Sequence, residues 1–178
     1  MRYIISGPGR VGGHLLEGII RASGATEVYR THNPELSIGN DLDTTLIVLD
    51  RRNRFAAMMS NAIVRRTGQS TEYPNKIIDP FVLEPGMFRW EYAKYIDYYR
   101  AHDLSRPYAA VFKMYFEDFV NDHTSVKRIL NLPTVNVEKK SLAWKLLHSA
   151  APYNFTDIIT NWPKLILLYD QLQKGNNQ

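Results

Sequence analysis

The sequence contains no cysteine. Disulfides, zinc–thiolate centres and thiol nucleophiles are thereby excluded. No uninterrupted run of about 18 apolar residues occurs, so no membrane span is expected. No block of Lys and Arg is long enough to argue for nucleic acid. The basic excess is mild, 22 Lys and Arg against 18 Asp and Glu. It suits an anionic ligand and equally describes an ordinary basic surface. Repeats, low-complexity tracts and linkers are absent as well, so a single domain over 1–178 is expected. No signal-peptide pattern precedes the first apolar run, and a soluble cytoplasmic protein is the expectation. What is present is core-forming material. Of 178 residues, 44% are hydrophobic, enough to bury an ordinary domain core.

The patterning alternates strands with helices. "RYIIS" (2–6) reads as a buried strand, and Gly7 to Gly12 as a turn. From Gly13 to about Ser23, Leu15, Leu16, Ile19 and Ile20 recur on one helical face. "TEVYRTH" (26–32) has strand composition, and "TLIVLD" (45–50) is the continuous apolar run of a buried parallel strand. A helix follows from an Asn53 N-cap to about Arg66 and closes at Thr67-Gly68. Its inner face is Phe55, Met58, Met59, Ala62 and Ile63. The prolines of 69–86 predict a long irregular connection of the kind that forms lids or substrate walls. Then come an aromatic-rich helix (88–102), a strand (109–116), and a loop and helix ending before Pro133. The core is expected over 1–135 and a helical part, broken near 151–155, over 136–172. Residues 173–178 are expected to fray. The fold class is α/β with a mainly parallel sheet, and its ligand belongs beyond the carboxyl ends of the strands.

One loop stands at such an end: "ISGPGRVGGHLL", residues 5–16. Gly7, Gly9 and Gly12 spell G-x-G-x-x-G between a strand and a helix, the context of a dinucleotide fingerprint. An NADP-dependent oxidoreductase is therefore one reading, with Arg30 in place of the usual acidic residue. Gly7 and Gly12 also frame most of a P-loop. The Lys and the Ser/Thr of that motif are replaced by Gly13 and His14, which removes the phosphate-binding ammonium and the magnesium ligand. The third reading is a loop that wraps a phosphate without metal, with the Arg10 guanidinium as the local positive charge.

Here the sequence resembles sulfotransferases that use 3′-phosphoadenosine 5′-phosphosulfate. "ISGPGRVGGHLL" resembles their 5′-phosphosulfate loop. "LIVLDRRNRFAAMMSNA" resembles the 3′-phosphate segment, with Arg52 at a strand end and Ser60 eight residues later. "VYRTHNPEL" is similar to the Lys-x-His strand end that carries the catalytic base, and "FKMYFEDF" to a Tyr-Glu-Asp-Leu strand end. "YNFTDIITNW" resembles a stretch near the end of some bacterial members. Four blocks keep their order over residues 3–120. The chain differs at Val11, where the family has Ser, and at Gly13 and His14, where it has hydroxyl residues. Arg54 replaces a Pro, Phe116 replaces the Tyr, and no Arg-Lys-Gly loop follows.

The resemblance implies a three-layer, P-loop-NTPase-like fold and metal-independent sulfuryl transfer to a hydroxyl or amine. The donor would be 3′-phosphoadenosine 5′-phosphosulfate and the product adenosine 3′,5′-bisphosphate. Catalysis falls to His32 as general base and to Arg10, which offsets charge on the leaving group. Cofactor contacts fall to Gly7, Pro8, Gly9, Arg10, Val11, Gly12, Gly13 and His14. Arg52 and Ser60 take the 3′-phosphate, and Phe116 is a candidate for stacking on adenine. No metal ligand set, nucleic-acid partner or membrane span is expected. The acceptor stays open among saccharides, lipids, small molecules and peptide tyrosine, as does the oligomeric state. Arg30 either reinforces the sulfuryl group or is a solvated charge. Glu117 and Asp118 are expected to cap the next segment or pair with Arg. Tyr92, Tyr95, Tyr98 and Tyr99 read as core and lid packing. A non-catalytic nucleotide-binding module of the same fold is the main rival.

Overall fold

The computed structural model describes residues 1–33, 41–68, 78–100, 108–120, 122–133 and 154–176. In chain order the elements are β1 (Arg2–Ser6), α1 (Gly13–Ala22), β2 (Val28–Thr31), β3 (Thr44–Asp50), α2 (Arg54–Thr67), α3 (Pro85–Arg100), β4 (Ala110–Tyr115), α4 (Phe116–Phe119), α5 (Thr124–Ile129), α6 (Phe155–Ile158) and α7 (Trp162–Asn176). The chain is α/β. It forms two compact units, Met1–Arg52 with Tyr98–Ser149, and Asn53–Asp97 with Ala150–Gln178.

The first unit is built on a four-stranded, all-parallel sheet in the order β2-β1-β3-β4. All seven residues of β3 are buried, so both faces of the sheet are covered there. That explains why "TLIVLD" shows no alternation. β2 and β4 form the edges and are only partly buried. α1 buries Leu15, Leu16, Ile19 and Ile20, the stripe its spacing predicted. The chain steps outward from β1 to β2, returns to the other side of β1 for β3, and continues outward to β4. The carboxyl ends of β1 and β3 therefore flank the point where the strand order reverses, which is where such sheets open a crevice.

The second unit contains α2, most of α3, α6 and α7. Asn53 caps α2 by accepting the Ala56 amide at 2.9 Å, and Gly68 closes it in a left-handed turn. The core of this unit centres on Phe55, whose ring lies 5.6–5.7 Å from those of Phe88, Phe155 and Tyr169. Asn161 exchanges two hydrogen bonds with the Leu83 backbone, both 2.9 Å, and Phe81 bridges Ile159. The segment before α3 is thus fastened to the α6–α7 corner.

Three boundaries differ from the sequence reading. α3 begins at Pro85, inside the stretch expected to be irregular, because a proline suits the first turn of a helix. Among the described residues of 116–132 there are two short helices, α4 and α5, not one. α7 runs to Asn176, through most of the stretch expected to fray, since each added residue gains a backbone bond once a helix exists. The expected helical region lies outside the described residues over 136–153. Among the described residues, no helix is long and apolar enough to cross a membrane.

Candidate functional site

Four segments leave the carboxyl edge of the sheet. The Gly7–Gly12 loop follows β1, His32 follows β2, Arg51 and Arg52 follow β3, and Phe116 follows β4. The sheet order sets them in the sequence His32, loop, Arg51–Arg52, Phe116. Every one belongs to the first unit.

The loop is packed from beneath. A Cβ on Gly7 would stand 2.8 Å from Val11 Cγ2 and 3.0 Å from Leu49 Cβ, so only glycine lets the turn settle onto β3. Val11 is 2% exposed. Its side chain belongs to the core, which leaves only its backbone to meet a ligand. Pro8 is buried as well, and Gly9 half-buried. Gly12 is the N-cap of α1 in the left-handed region (φ 86°), and a Cβ there would collide with the Phe116 ring. No side chain caps α1, and its first turn carries no acidic residue. The first amides of the helix, including those of Gly13 and His14, therefore present the positive end of its dipole.

Arg10 is the exceptional residue of the loop. Its φ is 69°, a left-handed conformation disfavoured for any residue with a Cβ. Asn131 is the other non-glycine residue of this kind among those described. Strain of this sort persists where surrounding structure enforces it, commonly at functional sites.

His32 is attached to the same loop. Its Nδ1 lies 2.7 Å from the Gly7 carbonyl oxygen. A carbonyl only accepts, so Nδ1 carries the proton, and in the neutral ring Nε2 holds the lone pair. This is the tautomer a general base needs.

The basic residues are engaged by carboxylates. Arg30 Nε meets Glu17 Oε2 at 3.1 Å, and Glu17 also meets Arg21 at 3.0 Å. The Arg30 stem lies over Gly13, where a Cβ would be 2.8 Å from its Cδ. Arg51 stacks its guanidinium 5.0 Å from the centroid of Phe116, and its Nε lies 3.7 Å from Glu117. Arg52 bonds Asp118 at 2.5 Å, lies 4.7 Å from the Tyr115 centroid, and donates its backbone amide to Glu117 at 2.9 Å. The Asp118 hydrogen bond is the main cause that raises the Arg52 pKa above its ordinary value. Glu117 and Asp118 thus pair with arginines, as the sequence reading had them, and Asp118 also caps α4.

Phe116 is half-buried, backed by Gly12 and Phe119. Ser60 is half-buried on α2, in the second unit. Tyr92, Tyr95 and Tyr98 are buried, as core packing requires. Asn161 acts structurally, and Asp157 is exposed. His102, His148 and Tyr153 lie outside the described residues.

Two residues escaped the sequence reading. Asp50 is fully buried at the end of β3, accepts the Arg51 amide at 2.7 Å, and lies 4.0 Å from Lys113 Nζ. Its signal was a carboxylate closing a run expected to be wholly buried. The spacing of Tyr98 among the other tyrosines of α3 points only to packing, yet its hydroxyl reaches the strand ends. Among the described residues, no three His, Asp or Glu are grouped to hold a metal.

The chemistry of these residues fits an anionic, phosphate-bearing group. The uncapped start of α1, the glycine turn and Arg10 suit a phosphate group, and Arg52 suits a second one. No family model, no curated protein and no solved structure matches this chain.

Proposed function

We propose that this protein is a sulfotransferase with a P-loop-like fold that uses 3′-phosphoadenosine 5′-phosphosulfate. The observation that carries the reading is the His32 Nδ1–Gly7 hydrogen bond, which joins a base of the correct tautomer to the phosphate loop. When bound, the nucleotide supplies the sulfuryl group and departs as adenosine 3′,5′-bisphosphate. Backbone amides from Gly9 to His14 hold the 5′-phosphate. Arg10 offsets the charge that gathers on the departing oxygen. His32 Nε2 takes the proton of the attacking hydroxyl or amine. Arg52 reads the 3′-phosphate by exchanging its Asp118 partner for it.

A second reading has one observation in its favour. The β1-α1-β2 unit with G-x-G-x-x-G and adjacent parallel strands is also the doubly wound arrangement that binds dinucleotides. Arg30, its candidate for an NADP 2′-phosphate, is held by Glu17. Calorimetric titration with adenosine 3′,5′-bisphosphate and with NADP decides between them. The bisphosphate is expected to bind, and Arg52→Ala to abolish the preference for it over 5′-AMP. Binding of NADP alone overturns the proposal.

A further inference from the structure

Tyr98, in the last turn of α3, is 8% exposed. Its hydroxyl lies 2.7 Å from Ser6 Oγ and 3.4 Å from the Thr31 carbonyl oxygen. The carbonyl only accepts, so the phenol donates to Thr31 and the Ser6 hydroxyl donates to the phenolic oxygen. The Gly7 amide is directed at the same oxygen. It also lies 3.4 Å from the Thr31 carbonyl oxygen. One buried oxygen thus gathers the last residue of β1, the last residue of β2 and the first residue of the loop. Burial pushes the phenol up to about 12, so it keeps its proton under all working conditions. The next residue repeats the pattern: the Tyr99 hydroxyl donates to the Leu49 carbonyl at 2.6 Å, near the end of β3.

His32 has two attachments, and both lead to this oxygen. Its backbone follows Thr31 directly. Its ring is held by Gly7 through Nδ1. We propose that Tyr98 is the positioning residue that fixes the orientation and tautomer of the His32 imidazole by tying Thr31 and Gly7 together. Tyr98 does not reach the reacting atoms. Without its hydroxyl the ends of β1 and β2 lose their shared pin, the Gly7 carbonyl drifts from Nδ1, and the proton redistributes between the two ring nitrogens. The inference rests on the proposed function only for its catalytic consequence.

The test is nitrogen NMR of the imidazoles in the nucleotide-free protein, with the His32 signals identified by their loss in His32→Ala. The wild type is expected to show a protonated Nδ1 and a bare Nε2. Tyr98→Phe keeps the ring and removes the hydroxyl, and should move the population toward the Nε2–H form. Ser6→Ala keeps the tyrosine and should move it in the same direction, so the test survives if Tyr98→Phe does not fold. In the sulfuryl-transfer assay, Tyr98→Phe should lower kcat by about 10- to 100-fold, the cost of a misplaced group, with bisphosphate affinity unchanged. A wild-type tautomer in the folded variants overturns the proposal. A tautomer shift in a protein whose wild type transfers no sulfuryl group upholds the positioning role and defeats the enzymatic reading instead.

Discussion

Replacing Arg10 with glycine separates what the residue does for the fold from what it does for a ligand. Arg10 sits at φ 69°. A left-handed conformation costs a residue with a Cβ about 1–2 kcal/mol. Glycine adopts it freely but gains about 0.4–1 kcal/mol of conformational entropy when unfolded. The difference favours glycine over alanine at this position by about 0.8 kcal/mol of folding stability. Arg10→Ala retains the Cβ and the strain, so Arg10→Gly should be the more stable of the two variants by that amount. Both variants remove the guanidinium. Losing charge-assisted hydrogen bonds worth about 1.5–3 kcal/mol should weaken adenosine 3′,5′-bisphosphate about 10- to 150-fold. Urea unfolding and calorimetric titration of the three proteins measure both effects. An Arg10→Gly protein less stable than Arg10→Ala refutes the strain argument. Unchanged affinity in either variant refutes the role given to the guanidinium.

Gly12→Ala adds the same dihedral strain and a collision with Phe116. Together these should cost about 2–5 kcal/mol. Gly24→Ala (φ 90°, open surroundings) carries the strain alone and should cost about 1–2 kcal/mol. Equal losses in urea unfolding would show that the loop does not pack as described. The Tyr98 phenol titrates near 10 when unfolded and at about 12 when folded. Its contribution to stability is thus complete below pH 10 and is lost as the pH rises toward 12. Unfolding midpoints measured over that range should fall more steeply for the wild type than for Tyr98→Phe, and parallel slopes would contradict the burial of the hydroxyl. Asp118→Asn takes away the carboxylate that competes for Arg52 and should tighten bisphosphate binding, while Arg52→Ala loosens it. Titrations showing no change for Asp118→Asn would mean that the ion pair does not oppose the ligand.

Local signals carried most of the fold. "TLIVLD" announced β3 because a strand covered on both faces has no polar positions to interrupt it. Asn53 and Gly68 marked α2 because each satisfies backbone groups that the helix leaves orphaned. The turn from β1 into α1 was legible from its glycines and from the strand before it. What stayed hidden was non-local. Nothing in the order of residues says that Glu117 and Asp118 meet Arg52, since β4 is paired with β3 only after folding. Tyr98 looks like Tyr92 and Tyr95 in the sequence, and only the end of α3 brings its hydroxyl to Ser6 and Thr31. The start of α3 is ambiguous in the sequence because Pro85-Gly86 signals a turn as readily as a helix start.

The two compact units are each made of two separated pieces of chain, with exchanges at 52/53, 97/98 and 149/150. No single cut releases either one. A fragment ending at residue 97 would hold β1, β2 and β3 but neither β4 nor the tyrosine hydroxyls that join the strand ends. During synthesis the sheet stays incomplete until β4 emerges, well after β3 and after α2 and α3. β3, buried along its whole length in the folded chain, must meanwhile wait with one edge unpaired. An unpaired strand edge is a template for pairing with another chain, so the exposure of the nascent chain to aggregation falls in that interval.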